Sequence, residues 1–437
     1  MTGVREVRGQ LQMTACRVGL LAAMTAPACY LSHGLDEDRQ PAPAEGGALA
    51  QNVPAPVADV EVPPCERELR MVDASSLPVD MLFVVDNSGS MAQEQGALAD
   101  QFPRLVEILT SGDLDGDGAV DFPRVEDLHL GVVSTDMGLV GVDGIPNCIG
   151  LGDDAVLRNT SAPLGGCGGP YPPFLAYEVG DDAEAVARDF GCVASLGTVG
   201  CGFEQPLEAG LKALWPFADQ RVTFLPDRRG QGSRGHGGEA NAGFERADSV
   251  LVVVMVTDEE DCSSYDTVHL TPAQYLPDGS ALRQQPINLR CFYNSDNLFS
   301  VDRYINGLRT LRQENPQLVL FAAIAGVPQD LVDERARADV DLGDEAQRQA
   351  YYDGILADER MLEQVDESEP EIAKRQLIPS CETATGRAFP PRRFVQVARG
   401  FGQNGIVQSI CQDDFGPAMH ALAERLGETL TLAQCVD

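Results

Sequence analysis

Residues 80–91 read D-M-L-F-V-V-D-N-S-G-S-M, and the reading of the fold turns on them. Met81 to Val85 is an unbroken apolar run that stops at an acid, Asp86. A short apolar run bounded by turn residues suits a strand buried on both faces. Asp86, Ser88 and Ser90 then alternate along a turn loosened by Gly89, with a helix expected just beyond. One carboxylate and two hydroxyls thus converge at a strand's C-terminal end. Oxygen-only ligands in that number suit a hard divalent cation, Mg²⁺ above all, because it accepts few protein ligands and keeps its waters. The plainer reading is a serine-rich N-cap before an ordinary helix.

A second acid tips the balance. Ser249 to Val256 (S-V-L-V-V-V-M-V) is the most strongly β-branched run in the chain, and Thr257-Asp258 closes it as Asp86 closes the first. D-x-S-x-S after a buried strand, with V-V-x-V-T-D about 170 residues later, resembles a von Willebrand factor type A domain. The resemblance covers residues 78–432 with large insertions, and its diagnostic motifs occupy few positions. It implies an α/β fold, a doubly wound and mostly parallel six-stranded sheet of order 3-2-1-4-5-6 flanked by helices, similar to a Rossmann fold. It also implies a metal-ion-dependent adhesion site built from the Asp86 loop, the Asp258 loop and a third loop. In that order the sheet reverses between the strands carrying Asp86 and Asp258, which is where open α/β sheets bind ligands. A threonine usually stands on the third loop. None stands just before the helix expected near Gly200 to Leu214; Glu204 is the preferred substitute, with Gln205 and Thr198 as alternatives.

The chain has 437 residues and a formal charge of −35. Residues 18–28 are apolar, follow Arg5, Arg8 and Arg17, and precede Cys29. The run is too short to span a bilayer but suits a signal-peptide core. Ala26-Pro27-Ala28-Cys29 resembles a bacterial lipobox, although Ala26 and Pro27 depart from the pattern. The expectation is a signal peptide over 1–28, lipidation of Cys29, and an exported protein anchored in the outer membrane. Cleavage there removes three arginines and one glutamate, leaving −37. Such a surface repels nucleic acid and anionic headgroups, so membrane contact is expected through the lipid alone. Residues 29–64 are rich in Pro, Ala and acids and read as a tether reaching about 35 Å as a coil. The remaining residues, 65–437, form the domain, with insertions at about 138–200, 226–246, 262–297 and 328–392.

Twelve cysteines, less Cys16 in the leader and Cys29 at the anchor, leave ten. An even number in an exported chain points to five disulfides. A zinc site is the competing reading, but no C-x-x-C occurs and the five histidines are scattered. The resemblance brings the domain's two ends together, which implies a Cys65–Cys435 pair. Cys192–Cys201 and Cys262–Cys291 follow from proximity in sequence alone.

Between these landmarks, helical spacing covers Gln93 to Leu109. Asp113, Asp115, Asp117 and Asp121, with Gly118 at the sixth position, match an EF-hand-type Ca²⁺ loop, except that Arg124 replaces the bidentate glutamate. The competing reading is a solvated acidic turn. Leu128 to Thr135 predicts a strand ending at Asp136, a further carboxylate near the same edge. G-Q-G-S-R-G at 230–235 precedes a strand rather than a helix, so it fails as a phosphate loop. Glu259 to Asp261 is expected to make the site's rim more acidic. Leu318 to Val327 predicts a strand, 330–371 a charged helical insertion, Arg393 to Ala398 the last strand, and Phe415 to Leu432 the closing helix.

The expected function is therefore a binding module rather than an enzyme. A protein or peptide ligand would present a carboxylate to Mg²⁺, or to Mn²⁺ or Ca²⁺ in its place. A metal-stiffened surface scaffold and a metal-dependent hydrolase are the alternatives. Against the hydrolase, neither G-x-S-x-G nor H-E-x-x-H occurs.

Overall fold

A computed structural model describes residues 77–162, 167–383, 386–412 and 414–433. The leader, Cys29 and the tether lie outside these residues, as do Cys65 and Cys435. Six strands form the main sheet: β1 (Val79–Val85), β2 (Asp127–Ser134), β3 (Leu175–Glu178), β4 (Val250–Val256), β5 (Val319–Ala325) and β6 (Gly405–Ser409). Their order is β3-β2-β1-β4-β5-β6. All neighbours pair parallel except β3, which runs antiparallel to β2 at one edge.

The apolar runs are continuous because both faces of the sheet are covered. Met81, Phe83 and Val85 face one layer and Leu82 and Val84 the other, and β4 divides its valines in the same way. The first layer holds α1 (Ala92–Ala99), α2 (Phe102–Ser111), α3 (Ala183–Ala194) and α8 (Gly416–Ala433). There Phe83, Phe102 and Phe190 meet with ring centroids 4.4–5.2 Å apart. The second layer holds α4 (Pro206–Leu214), α5 (Asp302–Thr310), α6 (Glu345–Ala357) and α7 (Arg392–Gly400). Gly210 lets α4 sit close against the sheet, since a Cβ there would stand 2.8 Å from Met255 Cε.

Three expectations are corrected. Residues 393–398 are not the last strand; they lie in α7, which buries Phe394, Val395, Val397 and Ala398. That i, i+1, i+3, i+4 spacing is a helical stripe, and the strand is the shorter Gly405–Ser409 beyond it. The helix expected over Gln93–Leu109 is two helices, because Pro103 opens α2 and cannot continue α1. Cys192 does not pair with Cys201. Cys192 bonds Cys167, and Cys201 bonds Cys148. The insertion folds Cys148 back onto the loop before α4, so spatial rather than sequence proximity selects the partner. Cys262 pairs with Cys291, and Cys381 with Cys411. Among the described residues, no helix is long and apolar enough to cross a membrane.

Candidate metal centre

β1 and β4 are adjacent and in register, Val85 opposite Val256, so the residues that follow each strand emerge together. Asp86 N donates to Val256 O over 2.9 Å. Thr257 Oγ1 donates to Asp86 Oδ2 over 2.7 Å, and Ser88 N to Asp86 Oδ1 over 2.7 Å. Ser88 and Ser90 hydroxyls lie 3.1 Å apart, and Ser90 Oγ reaches Asp258 Oδ1 at 3.1 Å. Asp86, Ser88, Ser90 and Asp258 therefore share one cluster, spanning two loops. Gln95, on α1, holds the first loop in place. Its side chain donates to the carbonyls of Asp86 and Gly197 and accepts from Gly197 N.

The third loop runs in front of α4. Glu204 is 4 % exposed. Its carboxyl is pushed well above the usual range by burial, then by the charges of Asp86, Glu259 and Asp258. Gln205 is committed elsewhere, donating to Gly138 O and accepting from Ser264 N. Thr198 is half-buried, and its side chain makes no hydrogen bond to Asp86, Ser88, Ser90 or Asp258. Of the three alternatives, Glu204 is the one whose charge reaches the cluster. Asp86, Glu204 and Asp258 nevertheless do not form a set of three whose ligand oxygens lie within 4.8 Å of one another.

The electrostatics are one-sided. Burial, then the charges of Asp86 and Glu259, raises Asp258 to about 8. Burial and Asp86 raise Glu259 to about 7, offset by Arg387. Asp86 itself is raised by burial. Two buried oxygens around the cluster lack partners, Asn87 Oδ1 and Glu94 Oε2. Carboxylates packed together with orphaned oxygens favour a positive charge in their midst, either protons or a cation. The donor set fits a hard divalent ion because every atom on offer is oxygen.

Sequence reading missed Thr257, Thr135, Glu94 and Gln95. Glu94 and Gln95 are polar residues buried at the start of α1, and nothing in their spacing separates them from its solvated face. Asp136 serves another purpose: its Oδ1 accepts from Gly138 N over 2.8 Å, and the turn at 136–153 closes around it. Nor is Asp261 on the rim. It is wholly buried, accepting from Leu207 N at the start of α4, from Ser263, and from Arg393 at 3.0 Å. Burying that acid is sustainable because a helix N-terminus and an arginine meet it.

In the aspartate loop, ligand oxygens of Asp113, Asp115 and Asp117 come within 4.8 Å of one another. Gly116 and Gly118 adopt φ of +81° and +90°, a turn that glycine makes without strain. Asp121 stands outside that set and instead accepts from Leu114 N over 2.8 Å. The 230–235 glycine loop is held by Lys212, whose Nζ donates to Gly232 O over 2.6 Å.

A scan against known protein families returns no matching model, and a search of curated proteins returns no match.

Proposed function

We propose that this chain is a cell-envelope binding module of the von Willebrand factor A type. It engages a protein or peptide carboxylate through a divalent cation. Asp86, Ser88, Ser90 and Asp258 would hold the ion, Mg²⁺ foremost with Mn²⁺ or Ca²⁺ as substitutes, and Glu204 would stand at its edge. One observation carries the reading: Ser90 Oγ touches Asp258 Oδ1 beside Asp86, at the point where the strand order reverses. When bound, the cation supplies a positive centre that a partner's carboxylate completes. The protein's own part is to hold the two acids and two hydroxyls in place through Thr257 and Gln95. Ser88 and Ser90 are neutral donors and leave charge on the ion for the partner. Lipidation at Cys29 and the tether would present the module from the outer membrane.

Affinity capture from envelope extract, in Mg²⁺ and in EDTA, tests this. Wild-type protein should retain a partner in Mg²⁺ alone, and Asp86→Ala should retain none. Capture that survives both EDTA and Asp86→Ala sinks the reading. Metal binding without metal-dependent capture would leave a scaffold, and Mg²⁺-dependent turnover would leave a hydrolase.

A further inference from the structure

The 262–297 insertion folds back so that Cys291 returns to Cys262 and to His269, seven residues beyond Cys262. A ring nitrogen of His269 and the sulfurs of Cys262 and Cys291 lie within 4.8 Å of one another. The two sulfurs are joined as a disulfide, so in this state neither offers a metal a thiolate. His269 is 2 % exposed. Its Nδ1 lies 2.8 Å from the carbonyl oxygen of Asp266. A carbonyl only accepts, so Nδ1 carries the proton and the neutral ring keeps its lone pair on Nε2. Nε2 is buried and has no hydrogen-bond partner. A buried acceptor without a donor calls for an explanation, and here its ring lies beside two sulfurs. An imidazole whose other nitrogen is fixed by a backbone carbonyl is oriented as metal-binding histidines are.

We propose that reduction of Cys262–Cys291 opens a site for a thiolate-preferring cation, Zn²⁺ foremost, held by the two sulfurs and His269 Nε2. A dithiol reductant gives up two electrons and becomes a disulfide, and its two protons pass to the protein's sulfurs. Each thiol then releases its proton as the cation binds. Two sulfurs and one nitrogen leave a fourth tetrahedral position for water. A cavity of about 370 Å³ opens on both cysteines, lined also by Phe292 and Leu298 and by Glu204, Glu259 and Glu260. The oxygen cluster at Asp86 selects hard ions and this one selects soft ions, so the two need not compete. The proposal does not depend on the adhesion-site reading.

The test uses the full chain, reduced with a water-soluble phosphine. The phosphine becomes its oxide, taking oxygen from water, and does not compete for metal as a dithiol would. Titration with Co²⁺, a spectroscopic stand-in for Zn²⁺, should give thiolate-to-metal charge-transfer absorption that oxygen sites cannot give, and Zn²⁺ should abolish it. Oxidised protein should lack the band. So should reduced Cys262→Ser/Cys291→Ser protein, although its other cysteines remain. His269→Ala should weaken Co²⁺ binding by about tenfold or more. His269→Gln replaces it if near-ultraviolet dichroism shows that the alanine variant has lost its fold. Absence of the band in reduced wild type overturns the proposal. So does an equal band in the double cysteine variant or in oxidised protein, or wild-type affinity in the histidine variants.

Discussion

Ser90 Oγ donates to Asp258 Oδ1 over 3.1 Å across 168 residues of sequence, joining the loops after β1 and β4 in a cluster with more negative charge than its surroundings neutralise. Asp258→Asn keeps an acceptor for Ser90 while removing one charge from the neighbourhood of Asp86 and Glu259. In EDTA above about pH 8, this variant should melt higher than wild type, by about 2 °C for each kcal/mol of repulsion relieved. If Asp258 helps to hold Mg²⁺ as proposed, the order should invert in Mg²⁺, because the variant forfeits that ligand. Thermal unfolding of both proteins in both buffers checks this. A variant less stable than wild type in EDTA would mean that Asp258 has a favourable partner in the metal-free protein.

The same imbalance sets a pH dependence. Burial and neighbouring acids raise Asp258 and Glu260 to about 8 and Glu259 to about 7, against ordinary values of 3.8 and 4.5. The folded state then holds protons that the unfolded state has released, so stability falls as pH rises from about 4 to about 8 and levels off above. Urea unfolding in EDTA should show this decline. Saturating Mg²⁺ should flatten it, since the cation replaces the protons. A metal-free stability that rises across that window would contradict the charge balance described for the site.

At the aspartate loop, Asp113, Asp115 and Asp117 converge without Asp121. If they bind Ca²⁺, millimolar calcium should raise the thermal midpoint, because a ligand specific to the folded state stabilises it by mass action. With Asp121 turned to Leu114 N and Arg124 in the last position, affinity should sit at the weak, millimolar end for such loops. Asp115→Ala/Asp117→Ala should remove the increment. An unchanged calcium response in that variant would make the stretch a solvated turn.

The sheet was legible because β1 and β4 are unbroken apolar runs, each ending at an acid, and few local structures compete for such a pattern. The helix of 392–400 was misread because Phe394-Val395 and Val397-Ala398, taken alone, resemble a short buried strand. Only the packing of their stripe against β5 and β6 separates the two. Asp86, Ser88 and Ser90 were legible from their alternation, whereas the meeting of Asp258 with them was implied by the resemblance and its sheet order. Thr257 and Gln95 were not legible, since a hydroxyl or amide that steadies a carboxylate carries no periodic signature. Cys262–Cys291 was legible from proximity, but the partners of Cys148 and Cys167 escaped for a related reason, being reached by loop paths that local sequence does not encode.

A last prediction concerns the support behind the third loop. Glu208, in the first turn of α4, meets Arg303 of α5 through paired contacts, Nε to Oε2 and Nη2 to Oε1, each 3.0 Å. Arg303 is fully buried, lies 4.2 Å over the ring of Phe299, and also donates to Thr223 O. Both charges left water to make this pair, so removing one strands the other. Arg303→Met should cost about 3–5 kcal/mol, and Arg303→Lys should recover only part of that, because an ammonium cannot reproduce the fork or the stacking. Glu208→Leu combined with Arg303→Met should be less damaging than the sum of the single changes, since no charge is left unpaired. Because α4 follows directly on Glu204, the single variants should also weaken Mg²⁺-dependent stabilisation, and the double variant should restore part of it. Denaturant unfolding of the four proteins, with and without Mg²⁺, provides the cycle. Strict additivity would show that the two side chains stabilise the domain independently.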